Sequence, residues 1–320
     1  MKNILYIAVV LATVLLSYSC KNDESLKTEL LPQISEAYKV GDWKKVILLT
    51  DSLRNNGVSY TEYIGGTGVD IPYCEALIST GNAVKAIAEI KNHVANINPK
   101  DYYAYHTLGV AYCALKDTLE AIDAYKNSLK INPGYARPYI HLAHIYAKTD
   151  ITKCMDNYSM AIQLFGNNEM HDDVLKLGFE SWEVDSINPI ILKYMGDACF
   201  AKDDLQNAKT LYGRVLGDAA ENGSTVPQVF FESDYQLALI NYIESNFQES
   251  YTLLEVIYAN AKGFPKLPNS VLFGAYILGA AVTHQMNEPI VSNKLMELAN
   301  EIDPKTAKEH YDYFLSIHKH

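Results

Sequence analysis

Three histidines make the best case for chemistry in this chain. His141 and His144 stand three residues apart and share one helix face, and His106 lies about one repeat length upstream, on the equivalent helix. Imidazoles spaced this way can share a metal ion. No carboxylate partner and no HExxH motif accompanies them, so the favoured reading is polar residues lining an exposed groove. Cys74, Cys113, Cys154 and Cys199 are separated by 39, 41 and 45 residues, which fits no zinc or CxxC spacing. They are expected as small buried hydrophobes. An oxidising compartment leaves a disulfide open, Cys74 with Cys113 being the pair whose helices should be neighbours. Gly65-Gly66-Thr67-Gly68 lacks the Gly-Lys-Ser/Thr ending of a phosphate loop and follows no strand, so it is expected as a connector. No nucleophile elbow or dinucleotide fingerprint occurs. The expectation is a protein that is not an enzyme, with no catalytic residue, metal or cofactor; His318 and His320 are expected as mobile surface residues.

The elements that hold these residues repeat every 34 positions. Tyr105, Leu108 and Tyr112 recur as Tyr139, Leu142 and Tyr146, and Pro133 is preceded at the same interval by Pro99. The clearest unit reads Tyr105-x-x-Leu108-Gly109-x-x-Tyr112, then Ala121-x-x-x-Tyr125, then Pro133. Residues three and four apart share a helix face, so the large residues point inward while Gly109 and Ala121 let two helices approach. This unit resembles the tetratricopeptide repeat, with Tyr in place of the usual Trp and Phe. Similar units contain Ile71 to Pro99, Tyr139 to Tyr158 and Leu192 to Tyr212; weaker ones contain Leu31 to Trp43, Tyr235 to Leu254 and Tyr276 to Pro304.

The resemblance implies an all-α fold, a right-handed superhelical solenoid of helix hairpins, with about seven units over residues 30–304. The pattern breaks at 166–188 and 217–231. The first break is expected to hold an unpaired or degenerate helix pair, with Trp182 packed between neighbouring helices, and residues 305–320 form a capping helix over the last repeat. In the family the concave face of such a stack meets partner segments. Carried onto this chain, that face includes Tyr103, Arg137, Lys148, Lys193, Tyr194, Asp197 and Phe200, together with His106, His141 and His144.

Composition narrows the partner. The 320 residues are 48% hydrophobic and 20% charged, with 11 prolines and 17 glycines, the balance of a folded chain of helices and short turns. Asp plus Glu exceed Lys plus Arg, 38 to 27, for a net charge of -11. Phosphate binding needs a basic surface, so no nucleic-acid partner is expected.

The amino terminus carries Met1-Lys2, a mainly apolar run from Ile4 to Leu16, and then Ser17-Tyr18-Ser19-Cys20. As a helix the run spans about 20 Å, short of a hydrocarbon core of about 30 Å, and is expected as a removable export signal over residues 1–19. It resembles a bacterial lipoprotein signal, in which Cys20 would receive the lipid. Ser17 occupies the place where that motif usually has Leu, and Ser17-x-Ser19 also suits ordinary signal peptidase. Two or three acyl chains would hold the protein on a membrane, with residues 20–29 as a polar tether. The family resemblance then implies a scaffold for another envelope protein, at the outer membrane on its periplasmic or surface face. The alternative is a surface ligand- or glycan-binding lipoprotein associated with an outer-membrane uptake system.

Overall fold

The computed structural model describes residues 25–56, 63–64, 67–68, 70–185, 188–222, 227–261 and 267–318. The export signal and Cys20 lie outside the described residues, as do Gly65, Gly66 and His320. The chain divides into two compact units, Met1–Ile145 and Tyr146–His320, and each is taken by itself.

The first unit contains α1 (residues 25–39), α2 (Trp43–Asn55), α3 (Asp70–Ser79), α4 (Ala83–Asn96), α5 (Tyr102–Ala114), α6 (Thr118–Ile131) and most of α7 (Ala136–Tyr146). β1 (Tyr63–Ile64) and β2 (Thr67–Gly68) form a small antiparallel pair in the α2–α3 link. Consecutive helices are antiparallel hairpins: α3 packs on α4, α4 on α5, and α5 on α6. At the clearest repeat, a Cβ on Gly109 would come within 2.5 Å of the Tyr125 ring, so hydrogen is the only side chain that lets α5 and α6 close to this distance. The Ser128 hydroxyl donates to the Tyr102 carbonyl at 2.7 Å, tying the far ends of the two helices. α1 starts inside the expected tether. Leu26 and Leu30 pack against Ile34, Val46 and Leu53, so the apolar face of the first hairpin extends the helix back to residue 25.

The second unit contains α8 (Ile151–Asn167), α9 (His171–Trp182), α10 (Pro189–Ala201), α11 (Leu205–Asn222), α12 (Pro227–Ile243), α13 (Phe247–Asn260), α14 (Asn269–Gln285), α15 (Pro289–Ile302) and α16 (Ala307–Ile317). The Gly–Tyr device recurs between α10 and α11, where a Cβ on Gly196 would lie 2.6 Å from the Tyr212 ring. In the weaker repeats Ser250 and Ser292 replace the small Ala. Each hydroxyl donates across the hairpin, to the Ala238 and Ala280 carbonyls at 2.7 and 2.8 Å, so the polar substitution costs no unsatisfied group. The break at 166–188 holds one helix, α9, which packs on both α8 and α10. The break at 217–231 is narrower than expected, because α11 continues to Asn222 and α12 begins at Pro227. α16 lies on α14 and buries Phe314. His318, expected to be mobile, is held by Tyr242: its Nε2 is 2.7 Å from the Tyr242 carbonyl, and its ring stands edge-on to the tyrosine at 4.7 Å.

Seven of the turns between successive helices share one closure. In each, an N–H reaches back five residues to a carbonyl: Asp42 to Ala37, Asn82 to Leu77, Asp117 to Tyr112, Met170 to Phe165, Asp204 to Cys199, Asn246 to Asn241 and Glu288 to Thr283, at 2.7–3.0 Å. The residue before each donor has a left-handed backbone, with φ between 58° and 85°. This closure terminates one helix and points the chain into the next. Its presence at Glu169 shows that α8 and α9 turn as the other hairpins do.

Candidate functional site

In the first unit Tyr103 and His106 lie on α5, whose start is fixed by Asp101. One carboxylate oxygen accepts from the Tyr103 and Ala104 amides, both at 3.0 Å, and the other is 2.9 Å from His93 Nε2. Burial works against the Asp101 charge, but the His93 contact and the amide bonds outweigh it and hold the carboxyl below its usual range. The Tyr103 hydroxyl donates to Glu75 Oε1 at 2.9 Å, and the Tyr38 hydroxyl donates to Glu75 Oε2. This network joins α1, α3 and α5.

His106 departs from its expected place. It is 5% exposed rather than open to a groove, because the rings of Tyr103, Tyr125, Tyr135 and His141 surround it at centroid distances of 5.3–5.9 Å. Both its ring nitrogens and the Tyr135 hydroxyl are buried without a hydrogen-bond partner. Burial, helped by the His141 and Arg137 charges, pushes the His106 pKa down to about 3. His141 is partly exposed and stacks flat on Tyr125 at 5.1 Å. Its pKa falls to about 4, chiefly through burial, with His144 and Arg137 adding to the effect. His144 is exposed and edge-on to His141, and Arg137 is exposed at the start of α7. The three histidines do come together. Among the described residues no group of three or more His, Cys, Asp or Glu is placed to hold a metal ion.

In the second unit Lys193 and Asp197 lie one turn apart on α10. Lys193 Nζ is 2.8 Å from Asp197 Oδ2, 3.0 Å from Glu232 Oε2 on α12, and 4.5 Å from the centre of the Tyr194 ring. Burial disfavours the ammonium, yet Asp197 and Glu232 prevail and the pKa rises. The Tyr212 hydroxyl donates to Asp197 Oδ1 at 2.7 Å, and Gln228 Nε2 to Glu232 Oε1, also at 2.7 Å. Lys193, Tyr194, Asp197, Gln228 and Glu232 border a cavity of 460 Å³ that Asn167, Tyr235 and Gln236 also line. Phe200 is partly exposed on α10 but does not line it, and Lys148 is exposed beyond the end of α7.

Glu232, Gln228 and Gln236 had no place in the sequence-derived set. Only Gln236 had a signal: it follows Tyr235 as His106 follows Tyr105 and Lys193 follows Leu192, the same repeat position each time. Trp182 lines a second cavity, of 290 Å³, with the Arg214 guanidinium 4.2 Å above its ring. Cys74, Cys154 and Cys199 are buried and form no disulfide; Cys113 forms none either and is exposed, with Sγ 3.6 Å from the Tyr125 hydroxyl.

Residues 102–135 match the family model described as tetratricopeptide repeat. Over 85 residues the chain is 35% identical to BBSome complex member BBS4 of Bos taurus and 33% identical to that of Mus musculus, covering 26% of this chain in each case. The chain spans 16% of the length of these curated relatives. Similar solved structures include the Cut9–Hcn1 hetero-tetramer of the APC/C, with TM-score 0.41 and 16% identity over 85% of this chain and 52% of that one. A tetratricopeptide repeat protein from Parabacteroides merdae gives 0.35 and 12%, over 92% and 98% of the respective chains.

Proposed function

We propose that this chain, an all-α stack of hairpins carrying a tetratricopeptide repeat at residues 102–135, is a protein-interaction scaffold whose concave surface receives an extended segment of a partner. The observation that carries this reading is the 460 Å³ cavity of the second unit. It is bordered by half-buried aromatic and charged side chains from the first helices of successive hairpins. A rigid set of such groups suits a segment that brings its own backbone donors and a few anchoring side chains. Within the first unit, Tyr103, Arg137, His141 and His144 would offer a contact surface of their own, with buried His106 supporting it from beneath.

The amino terminus places this scaffold, in our reading, on a bacterial envelope membrane through lipid on Cys20, where tethering raises its effective concentration for neighbours. Among the described residues no helix is long and apolar enough to cross a membrane. A glycan-binding role would favour open indole platforms. Trp43 instead packs edge-on to Tyr38, and Trp182 lies under Arg214.

A photo-crosslinking residue at Gln228, compared with one at the exposed Lys308 on α16, tests the scaffold role in native membranes. Crosslinks confined to Gln228 and lost on Tyr194→Ala are expected. Equal yields at both positions would remove the groove as the recognition surface. Cys20→Ala should release the cleaved protein from membranes; retention would rule out the lipid anchor.

A further inference from the structure

Lys193 looks, in sequence, like a cation offered to a partner. In the folded unit it has nothing left to offer. An ammonium has three N–H donors, and these meet the Asp197 carboxylate, the Glu232 carboxylate and the face of Tyr194. The side chain is 13% exposed. An acidic ligand would have to break this arrangement before finding a donor.

What remains available is acceptor capacity. Each carboxylate oxygen of Asp197 and Glu232 takes one bond and has a further lone pair. Gln236 Oε1 is buried at the cavity wall and accepts nothing. With one lysine against two carboxylates the lining carries a charge of -1, in a chain whose net charge is -11. The Tyr194 and Tyr235 rings add apolar walls. The lining is therefore net negative, its one ammonium is already paired, and it has surfaces on which a flat cation can stack.

We propose that this cavity takes a basic side chain, arginine in preference to lysine, from an extended segment of the partner. The inference rests on the groove reading and names the chemistry that the groove selects. A planar guanidinium can donate to Gln236 Oε1 and to a carboxylate at once while lying on a tyrosine ring; an ammonium delivers a point charge without that fork. Lys193 holds the two carboxylates in place and leaves them one charge short of neutral.

Fluorescence anisotropy on the full-length protein tests this. The probes are labelled, amidated nonapeptides in which alanine alternates with arginine, citrulline, lysine or glutamate. The arginine peptide should bind at least about tenfold more tightly than its neutral citrulline isostere, with lysine between them, glutamate undetectable, and affinity falling as salt rises. Glu232→Gln should cost the arginine peptide about tenfold. Gln236→Leu, which leaves the ion pairs intact, should also weaken it, whereas Glu249→Gln, at an exposed position of α13, should not. Equal binding of arginine and citrulline peptides, tighter binding of the glutamate peptide, or equal losses at Glu249 and Glu232 would overturn the proposal, as would failure of all four peptides to bind. Gln228 crosslinks to a segment without basic residues would sink this inference alone; loss of those crosslinks would sink the groove reading with it.

Discussion

The α5–α6 and α10–α11 hairpins share a backbone plan and differ in what their grooves do with a polar side chain. In both, a glycine on the first helix meets a tyrosine ring on the second, Gly109 with Tyr125 and Gly196 with Tyr212. Three residues before each glycine stands a basic residue, His106 or Lys193. His106 is enclosed by rings that offer its nitrogens no partner, whereas Lys193 meets two carboxylates. Repeat register decides where a side chain goes. The neighbouring hairpin decides whether it arrives as a buried orphan or as part of a polar site, since only Glu232, from α12, completes the Lys193 arrangement.

The largest test of this contrast is pH, because the units bury opposite kinds of titratable group. In the second unit Asp234 is 5% exposed, and burial alone pushes its carboxyl up to about 7. A raised carboxyl pKa means that the folded state holds the proton more tightly. Its stability is full below the ordinary value near 3.8 and is lost as pH rises through about 7, a difference on the order of 4 kcal/mol. In the first unit the depressed pKa values of His106 and His141 work the other way. Stability is full above about 6.5 and is lost as pH falls through about 4 to 3, with roughly 2 kcal/mol gone per group at about pH 5. Urea unfolding followed by hydrogen exchange should show the first unit weakening as pH falls from about 6.5 toward 4 and the second weakening as pH rises from about 4 to 7. His106→Leu should flatten the first unit's loss in acid, and Asp234→Asn the second unit's loss between about pH 4 and 7. If each variant leaves its unit's loss unchanged, these groups do not set the difference.

The shared part of the plan predicts equal penalties. Gly109→Leu and Gly196→Leu should each cost about 3 kcal/mol, the upper end of overpacking, because a planar ring flanked by packed helices has little room to retreat. Gly178 sharpens the point: its added Cβ would meet the Met195 sulfur at 2.5 Å, and a thioether chain can swing aside. Gly178→Ala should therefore cost less than Gly109→Ala. Tyr125→Leu should recover part of the Gly109→Ala loss in a double-mutant cycle; strict additivity would show that the ring is not the obstacle.

Most of the fold was legible because close packing leaves a periodic trace. Gly109, Ala121 and Tyr125 lie where only a small or planar group fits, and they repeat as Gly196, Ala208 and Tyr212. The site was less legible. Tyr103, Lys193, Tyr194 and Asp197 were found from register, but sequence spacing says nothing of partners contributed by the next hairpin. Register thus puts Lys193 on the concave face without its two carboxylate partners, and His106 in an open groove, where the fold buries it. Position 236 was occupied by an uncharged glutamine and drew no notice, although it has the same register as both. α9 was obscure for a different reason: it lacks the signature residues yet closes on α8 through an ordinary backbone turn, and backbone closure leaves little mark in side-chain identity.

Those turns give the smallest predicted effect and the most direct comparison of the units. The first closes its hairpins with Gly41, Gly81 and Lys116; the second uses Glu169, Asp203, Ser245 and Asn287, all with a left-handed backbone. A side chain in that conformation crowds the following carbonyl, which glycine avoids. Lys116→Gly, Glu169→Gly and Ser245→Gly should each stabilise by about 0.5–1 kcal/mol, net of the greater freedom glycine gives the unfolded chain. Asp203→Gly and Asn287→Gly should gain less, because short Asx side chains tolerate this region. Gly81→Ala is the reverse case. Nothing lies within 4 Å of the Cβ it would add, so any loss comes from the backbone alone. Urea midpoints that fall for Gly81→Ala and rise for Ser245→Gly would show that the second unit carries strain at its turns that the first has largely shed; no change in either would mean that the closure hydrogen bonds, common to both units, absorb the difference.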